Sequence, residues 1–342
     1  MLLPEGHAAR AVVPHDEGRV LPLLNAASRA SCGAEDFTPA MLHKAWTAPG
    51  LDLARDTRLL LGPDGAACGY AELWWRAPGA VTDLWIAVAP SHPARVRLAG
   101  ALLAWGEARA RAACACAPPG VELLLHVEAD EDAADVRAAL AVAGFGAVRT
   151  TCRLQRTLDA REPADGAGRS PWPAGLSLST LRPGLDEAAA CAAQGRAFRD
   201  HWGVAEEDPA EALARFAHWM AADPDFDPSL FWLLREGDAV AAFLFAFPAC
   251  ESARDTARIP SLGVLRPWRR RGLAHGLLSH AFAALGARGC RRVVLEADAD
   301  SLTGALALYT GAGMTVCRRF RTWRKVLRSG ARAVTESVAA ED

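Results

Sequence analysis

The sequence lacks any segment typical of a membrane protein or a secreted one. No run of about 18 uncharged apolar residues is present that could span a bilayer. The first residues, MLLPEGHAARAVVPHDEG, contain no apolar stretch of the length that a signal peptide requires. We therefore expect a soluble, cytoplasmic protein with no membrane partner.

An excess of basic residues is also missing. The 38 lysines and arginines are balanced by 40 acidic residues, which gives a formal net charge of −2. Because a nucleic-acid-binding surface normally needs a basic field, this balance predicts that nucleic acid is not a partner. Hydrophobic residues form 51% of the chain, which indicates globular structure. The length of 342 residues favours two domains over one.

Cysteine is present nine times, but without the spacing of a metal site or a disulfide framework. The nearest two, Cys114 and Cys116, are one residue apart in an alanine-rich stretch. Reduced thiols in a cytosolic protein, and no metal ion, are therefore expected. Tyrosine occurs only twice, at Tyr70 and Tyr309, so few phenol groups are available for chemistry.

The chain contains the same pattern of elements twice. The segments TRLLLGPDGAACGYAELWW and LFWLLREGDAVAAFLFAFP each predict a strand, a tight turn and a second strand. The segments LAGALLAWGEARARA and LAHGLLSHAFAALGARG, which follow in the same order, both have helical apolar spacing. An offset of roughly 170 residues with the order preserved indicates a duplicated domain.

This repeat predicts two domains, at residues 8–158 and 176–328. A linker rich in proline and glycine would span residues 159–175, and a flexible tail residues 329–342. The fold class is α/β (α+β), because each copy alternates strands and helices around a hairpin and should form a mixed, mostly antiparallel sheet flanked by helices. Pro260, inside a strand of the second copy, predicts a bulge or a local splay.

One segment of the second copy, LGVLRPWRRRGLAHGLL, leads from a strand through three arginines and a glycine into a helix. Such a connection directs free backbone N–H groups at whatever lies over the helix N-terminus. Gly272 allows a close approach of the backbone, and the arginines add positive charge around phosphate oxygens. The segment therefore predicts a pyrophosphate site.

The same segment resembles motif A of the GNAT superfamily of CoA-dependent N-acetyltransferases, whose core reads Gln/Arg-x-x-Gly-x-Gly/Ala. The pattern falls here on Arg269, Arg270, Arg271, Gly272, Leu273 and Ala274. Downstream, LEADADSLTGALALYTGAGM resembles the next strand, loop and helix of that family, and the match covers the second copy in element order. The doubled layout is similar to that of tandem GNAT enzymes of the mycothiol synthase type.

The resemblance implies a fold, a co-substrate and roles for particular residues. Acetyl-CoA would be the co-substrate, and the acetyl group would pass to the primary amine of a small molecule by direct attack in a ternary complex. The amides of motif A would hold the pyrophosphate, and Tyr309 would protonate the departing thiolate. Ser301 stands where family members often have Asn and is expected near the cofactor. The backbone that would bind the pantetheine arm belongs to Leu262, Gly263 and Val264.

The general base is not identified by the resemblance, because Arg258 and Ile259 stand where some members carry an acidic residue. Glu296 is the favoured candidate; Asp298 and the segment RDHW at residues 199–202 are the others. The first copy departs further, because Val96 and Arg97 replace the glycine of motif A and Leu140 replaces the tyrosine. It is expected to be a degenerate domain beside an active second one.

Two other functions stay open at this stage. Paired GNAT-like domains also serve aminoacyl-tRNA-dependent transferases, which would need a broad basic surface. A scaffold that binds acyl-CoA without turnover is the third possibility. The sequence leaves open whether the protein is a monomer or a homodimer.

Overall fold

The computed structural model describes residues 3–33, 35–76, 80–113, 117, 119–159, 172–204, 207–250, 253–301 and 304–331. Most of the predicted linker, residues 160–171, and the predicted tail from residue 332 lie outside this part. The chain divides into two compact units. Of the described residues, the first unit contains those up to 150, residue 207 and residues 319–331, and the second contains residues 151–204 and 208–318.

The described residues form twelve strands and nine α-helices. The strands are β1 Ala8–Arg10, β2 Thr57–Leu61, β3 Ala67–Arg76, β4 Val81–Val88, β5 Leu123–Asp130, β6 Gly146–Thr157, β7 Leu176–Thr180, β8 Phe231–Glu236, β9 Ala239–Phe247, β10 Thr256–Val264, β11 Arg292–Asp298 and β12 Thr315–Arg328. The helices are α1 Glu17–Cys32, α2 Pro39–Trp46, α3 Leu53–Asp56, α4 Arg95–Ala113, α5 Ala134–Val142, α6 Glu187–Phe198, α7 Pro209–Ala221, α8 Leu273–Ala287 and α9 Ala305–Gly311.

Each unit is built on a mixed, mostly antiparallel sheet, as the sequence predicted. In the first unit the strand order is β1-β2-β3-β4-β5-β12, and β4 runs parallel to β5. In the second unit the order is β6-β11-β10-β9-β8-β7, and β10 runs parallel to β11. The remaining neighbours within each unit are antiparallel. The two predicted hairpins are confirmed as β2–β3 and β8–β9.

The two sequence copies exchange their last strands. The strand that ends one copy pairs mainly with strands of the other copy. Residues 151–157, at the end of the first copy, pair with β11 in the second unit. Residues 320–328, at the end of the second copy, pair with β5 in the first unit. Each sheet is therefore completed by a strand that is distant from it in sequence.

Strand β9, inside the sheet of the second unit, is buried on both faces. Along β9, Ala242, Leu244 and Ala246 belong to the core beneath α8 and α9, whereas Phe243 and Phe245 belong to the core beneath α6 and α7. Successive side chains of a strand point to opposite faces, so a strand covered on both sides needs an unbroken apolar run. The segment AVAAFLFAF supplies this run.

The irregularity predicted at Pro260 is confirmed. The register of β10 against β9 shifts between Arg258 and Ser261. On its other side, β10 pairs with β11 only as far as Ile259, opposite Leu295. Because proline has no N–H to donate, the ladder is interrupted at this residue and the two parallel strands can part.

Close packing at Gly263 gives a first testable prediction. A Cβ atom at this residue would lie 2.4 Å from Phe243 Cζ and 2.9 Å from Ala197 Cβ. We expect Gly263→Ala to destabilise the protein by about 1–3 kcal/mol, because α6 and the phenylalanine ring would have to move. In contrast, a Cβ atom at Gly195, within α6, would meet nothing within 4 Å, and Gly195→Ala should stabilise by up to about 1 kcal/mol. Urea unfolding of both variants measures these effects, and a stable Gly263→Ala protein would contradict the packing argument.

No helix among the described residues combines the length and the apolar character needed to cross a membrane.

Candidate active site

The site predicted from the sequence begins where β10 and β11 part. Beyond the last paired residues, Ile259 and Leu295, β11 continues along β6, whereas β10 continues along β9. The N–H of Leu265 donates to the carbonyl of Ala241 on the β9 side. Since backbone polar groups of alternate residues in a strand face the same way, those of Leu262 and Val264 face the opening between the strands. This fork therefore presents the backbone donors and acceptors of these two residues, of which the Val264 carbonyl already accepts a side-chain hydrogen bond.

The connection from β10 to α8 contains two residues in the left-handed region. Gly272, which caps α8, has φ 75° and ψ 2°, and Arg270 has φ 62°. Among the described residues, Arg270 is the one non-glycine residue with a positive φ. A Cβ atom at Gly272 would meet nothing within 4 Å, so glycine is required here by the backbone conformation and leaves open space above the turn.

The N-terminus of α8 supplies further donors toward this open space. The first N–H bonded within the helix is that of Gly276, which donates to the Gly272 carbonyl at 3.0 Å. The N–H groups of Leu273, Ala274 and His275 precede it and have no partner within the helix. The cap residue is glycine and provides no side-chain acceptor. Such a helix end attracts an anion through its N–H groups and its dipole.

The three arginines do not act alike. Arg269 points inward: its Nε donates to the Val264 carbonyl at 3.0 Å and its Nη2 to the Ala197 carbonyl at the end of α6 at 3.3 Å. Its guanidinium therefore fastens the turn to the strand and helix beneath it. Arg270 and Arg271 are exposed, and the side chain of Arg271 donates to the Pro267 carbonyl at 3.2 Å. The two exposed arginines provide the positive charge of the turn.

An arginine–carboxylate pair also holds this turn. Arg266 binds Asp200 through two hydrogen bonds of 2.9 and 2.8 Å, and the Arg269 Nη1 lies 3.7 Å from the same carboxylate. Asp200 belongs to the segment RDHW, which the sequence offered as a candidate base. Both oxygens of this carboxylate accept from Arg266. Nearby, Trp268 Nε1 donates to Glu236 at 3.2 Å.

Tyr309 lies on α9 with only 8% of its surface exposed. It packs in the same core as Leu273, and Leu262 and Val264 lie against that core. Burial raises the pKa of the Tyr309 phenol to about 12, so the hydroxyl stays protonated at neutral pH. The environment suits a proton donor and disfavours a tyrosinate.

Glu296 is the first residue of β11 beyond the fork. Its carboxylate accepts from Arg153 Nε at 3.1 Å and is 46% exposed. Leu295 and Ala297 lie in the core that contains Tyr309, so alternation places Glu296 on the opposite face of the sheet. The predicted acid and the favoured base therefore lie on opposite faces at the fork.

The other predicted residues lie at the end of β11 and in the loop that follows it. Asp298 accepts the N–H of Asp300 at 3.0 Å, which is a local turn. The N–H of Ser301 donates to the Asp298 carbonyl at 3.2 Å, and the Ser301 carbonyl accepts from Gly304 at 3.3 Å. These bonds shape the loop that leads into α9.

The first unit has the same fork but not the same turn. β4 pairs with β5 from Val81 to Leu84 and then continues along β3 alone. In the turn before α4, no described residue has a positive φ, and Arg97, which aligns with Gly272, lies in the first turn of α4. Leu140, at the position equivalent to Tyr309, is fully buried. Tyr70 instead donates to Glu72 at 2.7 Å and accepts from Trp46 at 2.9 Å within the unit.

Three positioning contacts had no signal in the sequence. They are the inward turn of Arg269, the pair of Arg266 with Asp200 and the pair of Glu296 with Arg153. The two ion pairs join segments that are remote in the chain, and the inward turn depends on a local reversal of chain direction. A left-handed φ at Arg270 was equally unpredictable, since arginine has no preference for it.

Comparisons with known proteins show which family the chain resembles. Residues 193–314 match the acetyltransferase (GNAT) family. A mycothiol acetyltransferase of Salinispora arenicola is 33% identical over 255 residues, which cover 73% of this chain and 75% of that protein. The mycothiol acetyltransferase of Streptomyces griseus subsp. griseus is 28% identical over 260 residues, covering 75% and 76%.

Solved structures extend the similarity to nearly the whole chain. A GCN5-related N-acetyltransferase from Sphaerobacter thermophilus has 30% sequence identity and a TM-score of 0.76, and the alignment covers 97% of this chain and 99% of that one. A tandem GNAT protein from the clavulanic acid biosynthesis pathway shares the fold at 16% identity, with a TM-score of 0.70 and coverage of 95% and 99%. The chain therefore belongs to the GNAT family of acetyltransferases, and it is an acyltransferase whose co-substrate is acetyl-CoA.

Proposed function

We propose that the second unit transfers the acetyl group of acetyl-CoA to the primary amine of a small molecule by direct attack in a ternary complex. The observation that supports this assignment is the combination of the strand fork, the left-handed turn at Gly272 and the buried phenol of Tyr309 in one unit. The first unit retains the fork, but the turn before α4 has no left-handed residue and Leu140 stands at the position equivalent to Tyr309. We propose that the first unit does not transfer acetyl groups.

The residues around the fork fit the co-substrate chemically. A pyrophosphate is an anion that suits the N–H groups of Leu273 and Ala274 and the exposed guanidinium groups of Arg270 and Arg271. The backbone groups of Leu262 and Val264 facing the fork would bind an extended amide-containing arm in the manner of an added strand. Arg269 would not contact the pyrophosphate but would hold the turn in the conformation that binds it.

Acetyl transfer to an amine requires two proton movements on opposite sides of the reacting carbonyl. The amine nitrogen must be deprotonated to attack the carbonyl carbon, and the sulfur must gain a proton as the carbon–sulfur bond breaks. Tyr309 would donate the proton to sulfur from one face of the sheet. Glu296 would accept the proton of the amine from the other face, directly or through a water molecule. Arg153, bound to Glu296, would keep that carboxylate oriented.

The acceptor is proposed to be a small molecule because the relatives that match the chain are named for mycothiol, itself a small molecule. Amines related to mycothiol are therefore the first acceptors to test. A tRNA-dependent reaction has less support, since the formal net charge of −2 provides no broad basic field.

Initial-rate kinetics with a panel of small primary amines would test the proposal. We expect release of free CoA thiol that depends on the amine, with intersecting double-reciprocal lines when acetyl-CoA and amine are varied together. Parallel lines would indicate a covalent acetyl-enzyme and contradict direct attack. Absence of amine-dependent CoA release across the panel, together with tight acetyl-CoA binding, would favour an acyl-CoA-binding scaffold.

A further inference from the structure

Two histidines and a cysteine meet in the first unit, outside the site described above. His7 directly precedes β1, Cys68 lies on β3, and His92 lies in the turn between β4 and α4. One ring nitrogen of each histidine and the Cys68 sulfur all lie within 4.8 Å of one another. The Nε2 atoms of the two histidines are 3.2 Å apart, and their ring planes are inclined by 81°.

We propose that His7, Cys68 and His92 form a binding site for a Zn²⁺-type divalent cation. Two Zn–N bonds of about 2.0–2.1 Å at a tetrahedral angle place their nitrogens about 3.3–3.4 Å apart. The observed separation of 3.2 Å is close to this value. One thiolate and two imidazoles are ligands that Zn²⁺ prefers, whereas Mg²⁺ and Ca²⁺ require oxygen. The three ligands leave a fourth position for water or another small ligand.

The surroundings of His7 suit a metal ligand. Its Nδ1 lies 3.0 Å from the carbonyl oxygen of Glu5 and can donate to it. This bond fixes the ring and puts the His7 proton on Nδ1, as is usual for histidines that bind metals. The lone pair of His7 Nε2 accepts a hydrogen bond from His92 Nε2. Gly6, with φ 75°, makes the turn that brings His7 into this position.

His92 would have to change its hydrogen bonding on binding. Its Nδ1 accepts the N–H of Ala94 at 3.1 Å. Coordination through Nε2 requires the proton to be on Nδ1, so both this bond and the hydrogen bond between the two Nε2 atoms would be given up. Cys68 would bind as the thiolate, so each cation bound releases one proton to solvent. The turn itself is anchored, because the N–H of Ala89 donates to the Cys68 carbonyl at 3.0 Å.

The proposed cation site includes the turn that leads into α4. His92 belongs to the turn that corresponds to the phosphate-binding turn of the second unit. A cation there would join this turn to β3 and to the segment before β1, three segments that are distant in sequence. We infer that the first unit uses this turn to bind a cation where the second unit uses its counterpart to bind a phosphate group.

Co²⁺ is the probe of choice, because a Co²⁺–thiolate bond gives a charge-transfer band in the near ultraviolet. Titration of the metal-free full-length chain should produce this band with one equivalent of Co²⁺, and Zn²⁺ should remove it by competition. Cys68→Ser should abolish the band, and His92→Ala should weaken binding at least tenfold. Cys290→Ser removes another buried thiol, in the second unit, and should leave the band unchanged.

The outcomes separate the proposed site from adventitious metal binding. A band that persists in Cys68→Ser would place the metal on another cysteine and overturn the proposal, as would equal affinity in His92→Ala. Circular dichroism checks the folding of each variant. Should Cys68→Ser not fold, His7→Gln and His92→Gln at the half-buried positions provide the same test: loss of affinity in both supports the site, and unchanged affinity refutes it.

Discussion

Gly272→Glu is expected to weaken acetyl-CoA binding by roughly 30- to 150-fold, which corresponds to about 2–3 kcal/mol. The substitution puts a carboxylate in the open space beside the turn proposed to bind the pyrophosphate, and like charges there repel each other. It also forces a residue with a Cβ into a backbone of φ 75°. Isothermal titration of the full-length chain with acetyl-CoA measures the change.

Gly289→Glu is the matched control for this experiment. Gly289 follows the other end of α8, has φ 87°, and would also place a Cβ in open space. The backbone strain of the two substitutions is therefore similar, at about 1–2 kcal/mol, while the added charge lies far along the helix from the turn. We expect Gly289→Glu to lower stability and to leave the Kd for acetyl-CoA within about twofold of the wild type. Equal losses of binding in both variants would show that the effect is one of folding.

Arg97→Glu tests which unit holds the co-substrate. Arg97 occupies the position in the first unit that Gly272 occupies in the second, and it is exposed. Because the turn that precedes α4 has no left-handed residue among those described, we expect the stoichiometry and the Kd of acetyl-CoA binding to be unchanged. A loss of binding in Arg97→Glu, with none in Gly272→Glu, would transfer the site to the first unit.

Tyr309→Phe is expected to lower kcat by roughly 100-fold or more and to change the KM for acetyl-CoA little. General acid catalysis contributes about 10²- to 10⁴-fold, and the hydroxyl is proposed to act on the leaving sulfur. Burial raises the pKa of Tyr309 to about 12, so the acid form is present at neutral and mildly alkaline pH and is lost only as the pH approaches that value. Any fall in kcat with rising pH below pH 10 must therefore come from another group, and it should persist in Tyr309→Phe.

Tyr70→Phe is the control, because the chain has just two tyrosines. The Tyr70 hydroxyl bridges Trp46 and Glu72 inside the first unit. Its removal takes the acceptor from Trp46 Nε1 and one of the donors from the buried Glu72 carboxylate, and should cost about 1–3 kcal/mol of stability. We expect kcat to be unaffected at a temperature where the variant is folded. A large loss of kcat in Tyr70→Phe, and none in Tyr309→Phe, would contradict the assignment of the acid.

Much of the site could be predicted because its signals are local. Pro260 interrupts a ladder by its own chemistry, and Gly272 is needed for one left-handed residue at a helix cap. The spacing between the two hairpins and helices was enough to indicate the duplication. The family resemblance then assigned Tyr309 a role that no local rule gives to a tyrosine on a short helix.

Contacts between distant segments were beyond the reach of these signals. The sequence presented three arginines as equivalent, but Arg269 turns inward because the Val264 and Ala197 carbonyls lie within its reach. Likewise, nothing near Glu296 in the chain indicates Arg153, its partner on the neighbouring strand β6. Such partners are set by strand register, which depends on the packing of the whole sheet.

The class of fold, the duplication and the position of the candidate phosphate-binding turn could be predicted from the sequence, since they follow from periodicity, proline, glycine and a family motif. Tertiary structure alone decided that the last strand of each copy pairs within the other unit's sheet, and that His7, Cys68 and His92 meet. The physical reason is the same in both cases. Strand pairing and ligand clustering join residues that are tens to hundreds of positions apart, and only the folded backbone brings them within bonding distance.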